Sequence, residues 1–295
     1  MSFPRLQPEK QFKPERDTPE RRGLKKGVYL IPSIFTALNV FAGFYSVMST
    51  MTGFRLLGMG GTANAQLAAG YFDYAAMAIG WALLCDILDG RIARLTKSTT
   101  EIGIQLDSIA DVVSFGLAPA VLAYVWGYGT TLEGWPNAHQ FAWFLSFMYL
   151  ICGGFRLARF NVQASRPRLI AEGTPKVDKR GFVGLPIPVA GGMIASIVHF
   201  TPMPIKYAPH RAELLASLSM VLVGFLSVMM VSTLRFSSFK SVGTGSRSTR
   251  LVLGVIALAA LIFLYSRWVL LILVTGYIVF GLVSHIFAGL RRVPA

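Results

Sequence analysis

"CDILDGRIARLTKSTTEIGIQLDSIAD", residues 85–111, carries four aspartates, Asp86, Asp89, Asp107 and Asp111, between two apolar stretches. "YAAMAIGWALL" (74–84) runs into it and "VVSFGLAPAVLAYVWGY" (112–128) runs out of it. With the adjoining part of the quoted segment, each flank is long enough to cross a bilayer core, which takes about 20 residues of helix. Carboxylates at the ends of two such spans must be buried in protein or line a cavity.

The rest of the chain supports a membrane setting. Of its 295 residues 54% are hydrophobic and only 14% are Asp, Glu, Lys or Arg, against about 25% charged in a soluble domain. A soluble protein of this size would lack the residues to make its surface, so the composition reads as polytopic and membrane-embedded. Eight spans are expected, at 28–50, 67–92, 106–127, 138–160, 182–202, 213–233, 250–266 and 268–289, the last two joined by a tight turn at Ser266 and Arg267. Seven remain if that final pair is one helix.

The net charge of +14 is distributed unevenly. "GRIARLTKSTTE" (90–101), "RLARFNVQASRPRLIAEGTPKVDKR" (156–180) and "RFSSFKSVGTGSRSTR" (235–250) hold most of the basic residues outside the N-terminal segment. The alternate connections hold Arg55, Lys206, Arg211 and Arg267. The positive-inside rule places the basic set, the aspartates and both termini on the cytoplasmic side. Basic residues at span ends suit anionic lipid, and no interleaving of aromatic and basic residues points to nucleic acid. Residues 1–27 are polar, of mixed charge and without an apolar core, so they read as a flexible cytoplasmic tail rather than a signal peptide. Cys85 and Cys152 lie in apolar segments with no metal-ligand spacing, which reads as small apolar filler.

Asp86 and Asp89 are three residues apart and Asp107 and Asp111 four, so each pair shares a helix face. Both pairs fall at the cytoplasmic ends of adjacent antiparallel helices and can face one another across a short loop. Four uncompensated carboxylates in low dielectric are prohibitively costly. Arginines such as Arg91 and Arg94 could supply counter-charge, protonation could, or divalent metal could. Metal does it best, because hard oxygen ligands suit Mg²⁺ or Mn²⁺ and four carboxylates can hold two ions. Such a pair beside a basic cavity suits chemistry on a phosphorylated lipid. Gly90 and Gly103 remove side chains where a helix or nucleotide approaches the backbone, although ordinary helix packing explains either one alone.

Residues 86–111 read D-x2-D-G-x2-A-R-x8-G-x3-D-x3-D. This pattern matches the signature of the CDP-alcohol phosphatidyltransferases, integral membrane enzymes that build phospholipid head-group linkages. The resemblance implies an all-α, polytopic helical bundle with about eight transmembrane helices. Residues 28–240 would be a six-helix catalytic core and 241–295 would add two C-terminal helices. It implies Asp86, Asp89, Asp107 and Asp111 as ligands of two divalent ions, with Asp111 also the general base toward the acceptor hydroxyl. Gly90, Ala93, Arg94 and Gly103 would line the cytidine and phosphate site of the CDP-lipid. It also suggests a homodimer.

The acceptor rests on three further stretches. "IPSIFTALNVFAG" (31–43), "GGFRLARFNV" (153–162) with "GFVGLPIPVAGG" (181–192), and "MMVSTLRFSSFK" (229–240) resemble segments of membrane-spanning bacterial phosphatidylserine synthases within that family. The reaction implied is CDP-diacylglycerol plus L-serine giving phosphatidylserine plus CMP, in a bacterial inner membrane. Arg156 and Arg159, in an apolar helix end, suit the donor pyrophosphate and the serine carboxylate. Arg166, Lys179 and Arg180 serve either the same end or simple lipid contact. Asn39 and Asn161 either order the site or make structural hydrogen bonds. His139, His199, His210 and His285 are assigned no catalytic role, and Asp73 reads as interfacial. Choline, glycerol-3-phosphate and inositol phosphate are the alternative acceptors. A cation- or proton-coupled transporter using the same aspartates is the alternative class. Carboxylates at one end of their spans, instead of near mid-membrane, argue against it.

Overall fold

The computed structural model describes residues 19–96, 101–131, 137–165, 181–208, 210–237 and 265–285. Helix α1 (Pro19–Gly58) and helix α2 (Thr62–Thr96) form a long antiparallel hairpin. The reversal between them uses Gly60 and Gly61, at φ +71° and +83°, a region that L side chains resist. The next span starts as α3 (Glu101–Asp111) and passes without a break into a π-helical stretch, Val112–Leu117. It continues as α4 (Ala118–Ala123) and closes with a second π-helical stretch, Tyr124–Tyr128. Helices α5 (Ala138–Ser165), α6 (Ile187–Phe200), α7 (Ala212–Val231) and α8 (Tyr265–His285) complete the set.

Among the described residues seven helices are long and apolar enough to cross a membrane. Their outer faces present Phe41, Trp81, Trp143, Val221 and Ile272, as a lipid-facing surface does and a water-facing one does not. Several hydroxyls inside the spans bond to carbonyls of their own helices. Thr50 Oγ1 donates to Ser46 O at 2.8 Å and Ser227 Oγ to Val223 O at 2.7 Å, the pattern that lets polar side chains survive without water.

The third span is the axis of the bundle, touching α1, α5 and α6. Ser114, Phe115, Ala118 and Leu122 on it are fully buried. Gly43 of α1 makes that centrality possible: a Cβ at this position would sit 2.8 Å from Ser114 Cα. Ser114 Oγ then donates to Asn39 O at 2.8 Å, so the two helices are joined where their backbones come closest.

One end of the bundle collects the C-terminal ends of α2, α5 and α7 and the N-terminal ends of α3 and α6. A short antiparallel ribbon closes it, with β1 (Gly181–Val183) against β2 (Arg235–Ser237) and Phe182 opposite Phe236. Gly184 N donates to Leu234 O at 2.8 Å and Leu185 N to Met229 O at 3.0 Å, tying the lead into α6 to the exit from α7. Gly184 sits at φ +82° against the Met230 carbonyl, where no Cβ fits.

Several expectations change against this architecture. The expected span at 250–266 falls, but for its last two residues, outside the described residues. The turn expected at Ser266 and Arg267 is helix instead, the first turn of α8 as described. Both side chains are satisfied there: Ser266 Oγ meets His199 Nε2 at 2.9 Å, and Arg267 Nη2 lies 3.6 Å from Asp73 Oδ2. Asp73 is therefore a tied residue and not a free interfacial one. The tail expected over 1–27 is helical from Pro19 onward, in a stretch rich in the good helix formers Glu, Arg, Leu and Lys. Both cysteines are free thiols.

Candidate active site

The signature segment wraps around the end of the bundle that the ribbon closes. Asp86 and Asp89 lie near the end of α2, and Asp107 and Asp111 lie one turn apart on α3. Because α2 and α3 run antiparallel with only a short connection, the carboxylates converge. One oxygen each from Asp86, Asp107 and Asp111 lies within 4.8 Å of the other two. Ligands on opposite sides of a Mg²⁺ ion, at about 2.1 Å each, stand about 4.2 Å apart, so a single divalent ion fits this group with small adjustment. Asp111 is 9% exposed and its Oδ1 is buried without a hydrogen-bond partner. An orphaned carboxylate oxygen in a cluster of like charge is poised for a cation.

Asp89 takes a different partner. It is 6% exposed and accepts a hydrogen bond from Thr36 Oγ1 of α1. Three residues along a helix turn the side chain by about 300°, so Asp86 and Asp89 share a face yet diverge enough to meet different neighbours.

Two polar groups from other helices reach the same place. Asn39, on α1 one turn after Thr36, is 1% exposed and stands beside Asp111. Neither its Nδ2 nor its Oδ1 completes a hydrogen bond. Arg156 of α5 is the cationic neighbour of Asp111, and its Nε is likewise buried without a partner. Arg159 stands beside Arg156, but its Nη1 donates to Val231 O at 3.4 Å, the last carbonyl of α7. That is the place where a helix favours a cation. Asn161 Nδ2 donates to Ser108 Oγ at 2.8 Å, which joins α5 to α3 between the two aspartates of that helix.

Gly90 follows Asp89 on an exposed part of α2, and Gly103 lies half-buried one turn before Asp107. Ala93 and Arg94 fall on the last helical residues of α2, where only the backbone is described. Arg166, Lys179 and Arg180 lie outside the described residues. An apolar cavity of about 500 Å³, lined by Trp126, Ile194, Thr201, Ile205 and Leu222, lies toward the opposite end of the bundle and contains none of the aspartates.

Thr36 was not among the residues singled out from sequence. Its signal is its spacing: Thr36 falls midway between Ser33 and Asn39, three residues from each, on one face of an otherwise apolar stretch.

The family model of the CDP-alcohol phosphatidyltransferases matches residues 29–226, which include every aspartate and arginine of this cluster. A CDP-diacylglycerol–serine O-phosphatidyltransferase of Helicobacter pylori is 30% identical over 262 residues, covering 88% of this chain and 92% of that protein. One from Mycobacterium bovis is 28% identical over 242 residues, 81% of this chain and 71% of that protein. One from Saccharomyces cerevisiae is 36% identical over 165 residues, 56% of this chain and 51% of that protein.

Proposed function

The chain belongs to the CDP-alcohol phosphatidyltransferase family, and from that premise we propose that it transfers the phosphatidyl group of CDP-diacylglycerol to the hydroxyl of L-serine. The products are phosphatidylserine and CMP. The observation that carries this reading is the convergence of Asp86, Asp107 and Asp111 with Arg156 at one end of the bundle. The similarity to serine-using relatives over nearly the whole chain supports the choice of acceptor.

Asp86, Asp89, Asp107 and Asp111 would hold two divalent ions, Mg²⁺ or Mn²⁺. Bound there, they supply counter-charge to the pyrophosphate and to the departing CMP. The residues of the chain do the rest. A carboxylate oxygen of Asp111 takes the proton of the serine hydroxyl as the serine oxygen attacks the phosphorus bearing diacylglycerol. The bridging P–O bond breaks and CMP leaves with the electron pair. Arg156, buried beside Asp111, orients the serine carboxylate by a charge-assisted hydrogen bond. Choline has no carboxylate for Arg156 to bind, so the same arrangement disfavours it. Gly90, Ala93, Arg94 and Gly103 line the donor's cytidine and phosphates, with Arg159 adding positive charge nearby. In this reading the aspartate end of the bundle lies at the cytoplasmic face of a bacterial inner membrane, a side that the excess of basic residues in the adjoining loops supports. The protein works there among membrane lipids, as a homodimer.

The test supplies CDP-diacylglycerol with L-serine, choline, glycerol-3-phosphate or inositol phosphate in separate assays. CMP release and lipid product are followed with and without divalent metal. Serine-dependent, metal-dependent phosphatidylserine formation is expected, and Asp111→Asn is expected to lower the rate by about 10²–10⁴-fold, the range for loss of a positioned base. Product with another alcohol instead would discard serine and keep the site. Metal-independent turnover would discard the ion site.

A further inference from the structure

Helix α8 lies beyond the span of the family match, yet it is fastened to the core along its length. At the end of the bundle away from the aspartates, His199 Nδ1 meets Asp73 Oδ1 at 2.6 Å while its Nε2 meets Ser266 Oγ at 2.9 Å. This chain of polar contacts links α2, α6 and α8. Arg267 reinforces it from 3.6 Å, and Trp268 packs edge-on against Phe200 with ring centroids 4.6 Å apart. Further along, Thr275 Oγ1 lies 3.7 Å from Met193 Sδ, and Val274 lies opposite Gly192. Contacts that pair Ser266 with His199 and Thr275 with Met193 describe two antiparallel helices in fixed register. Carried to the next turn of α8, that register brings Tyr277 level with the start of α6, at the aspartate end of the bundle. Ile278 beside it is 5% exposed, so the helix is seated in the core there.

Tyr277 is an electrostatic neighbour of Arg156. The guanidinium thus lies among three groups: Asp111 of α3, Arg159 one turn along α5, and the phenol of α8. Its Nε is buried and has no hydrogen-bond partner, which leaves its orientation to these neighbours. A phenol oxygen accepts a hydrogen bond from a guanidinium and can do so without neutralising it, as a carboxylate would.

We infer that Tyr277 is a positioning residue for Arg156, and that α8 thereby forms part of the acceptor side of the active site. The inference rests on the phosphatidyl-transfer reading above and extends it to a helix outside the family match. Tyr277 acts on the acceptor through Arg156, so its loss is felt in acceptor affinity, while donor and metal sites are built from other helices.

The test is steady-state kinetics of Tyr277→Phe, which keeps the ring and removes the hydroxyl. The acceptor KM is expected to rise about 3–10-fold, the range for one net hydrogen bond, with the CDP-diacylglycerol KM and the metal requirement unchanged. The same substitution in an Arg156→Lys background is expected to add little, because the group through which it acts has been altered. An unchanged acceptor KM in Tyr277→Phe overturns the inference. So does an equal, independent effect in the two backgrounds, which would mark a packing role. If the parent protein uses an alcohol other than serine, the acceptor of the transfer reading fails while the comparison proceeds with that alcohol. If it turns over no alcohol, both fail together.

Discussion

At the scale of single residues, the site is defined as much by unmet hydrogen-bonding needs as by contacts made. Asn39, Asp111 and Arg156 each bury a polar atom without a partner, and each such atom costs roughly 1–3 kcal/mol if nothing answers it. Four such atoms, two of them on Asn39, gather at one place, which is what a site that meets a ligand's polar groups requires. Asp89 shows the opposite case, since Thr36 answers it from another helix. Thr36→Val should therefore leave a buried carboxylate unsatisfied and lower stability by about 1–3 kcal/mol, whereas Thr36→Ser should retain the bond. Thermal unfolding of the detergent-solubilised variants, in chelator so that metal does not mask the difference, checks both.

At the scale of helices, close approach decides what can change. Gly43 lets α1 pass Ser114 at backbone distance, and the Asn39–Ser114 bond that follows holds Asn39 beside Asp111. Gly43→Leu should push α1 away from the third span, destabilise the protein by about 1–3 kcal/mol as overpacking does, and impair activity. A lowered melting temperature together with reduced CMP release is the expected result. The sequence carried the approach of Asp86 to Asp107 and Asp111, because pairs at helical spacing across a short loop have few other arrangements, but not the turn of Asp89 toward α1. It carried the helical, membrane-spanning class for the same reason, as long apolar runs allow little else. It did not carry the Thr36–Asp89 bond, the Asp73–His199–Ser266 chain or the reach of α8 toward Arg156. These depend on which faces of distant helices meet, and periodicity within one helix cannot specify that. Ser266 and Arg267 misled for a related reason: two polar residues between apolar runs read as a turn unless their partners on α2 and α6 are known.

At the scale of the whole molecule, the acidic group joins helices that would otherwise repel one another. Asp86 belongs to α2 and Asp107 and Asp111 to α3, so a cation held between them would link two spans. Divalent metal should then stabilise the fold by about 2.7 kcal/mol at a concentration a hundredfold above its dissociation constant. The gain should be much smaller in Asp107→Asn. Melting temperature followed against Mg²⁺ or Mn²⁺ concentration, with no substrate present, measures this independently of turnover.

The π-helical stretches of the third span bear on how such a chain can vary through descent. Each holds its backbone in a wider coil than the α-helix on either side, and Ala118 N–H bonds back to Val113 O accordingly. Removing one codon within Val112–Leu117 would let the coil relax to the ordinary helix, which locally costs nothing. The five residues left, at about 100° each, would turn about as far as the six in the wider coil do, so Asp107 and Asp111 would keep nearly their present orientation relative to Ala118 and Leu122. The gene can thus lose one codon within this stretch and keep the aspartates aimed as they are, whereas the same loss within an α-helical part of the span, as in Ala118–Ala123, would have no slack to absorb it.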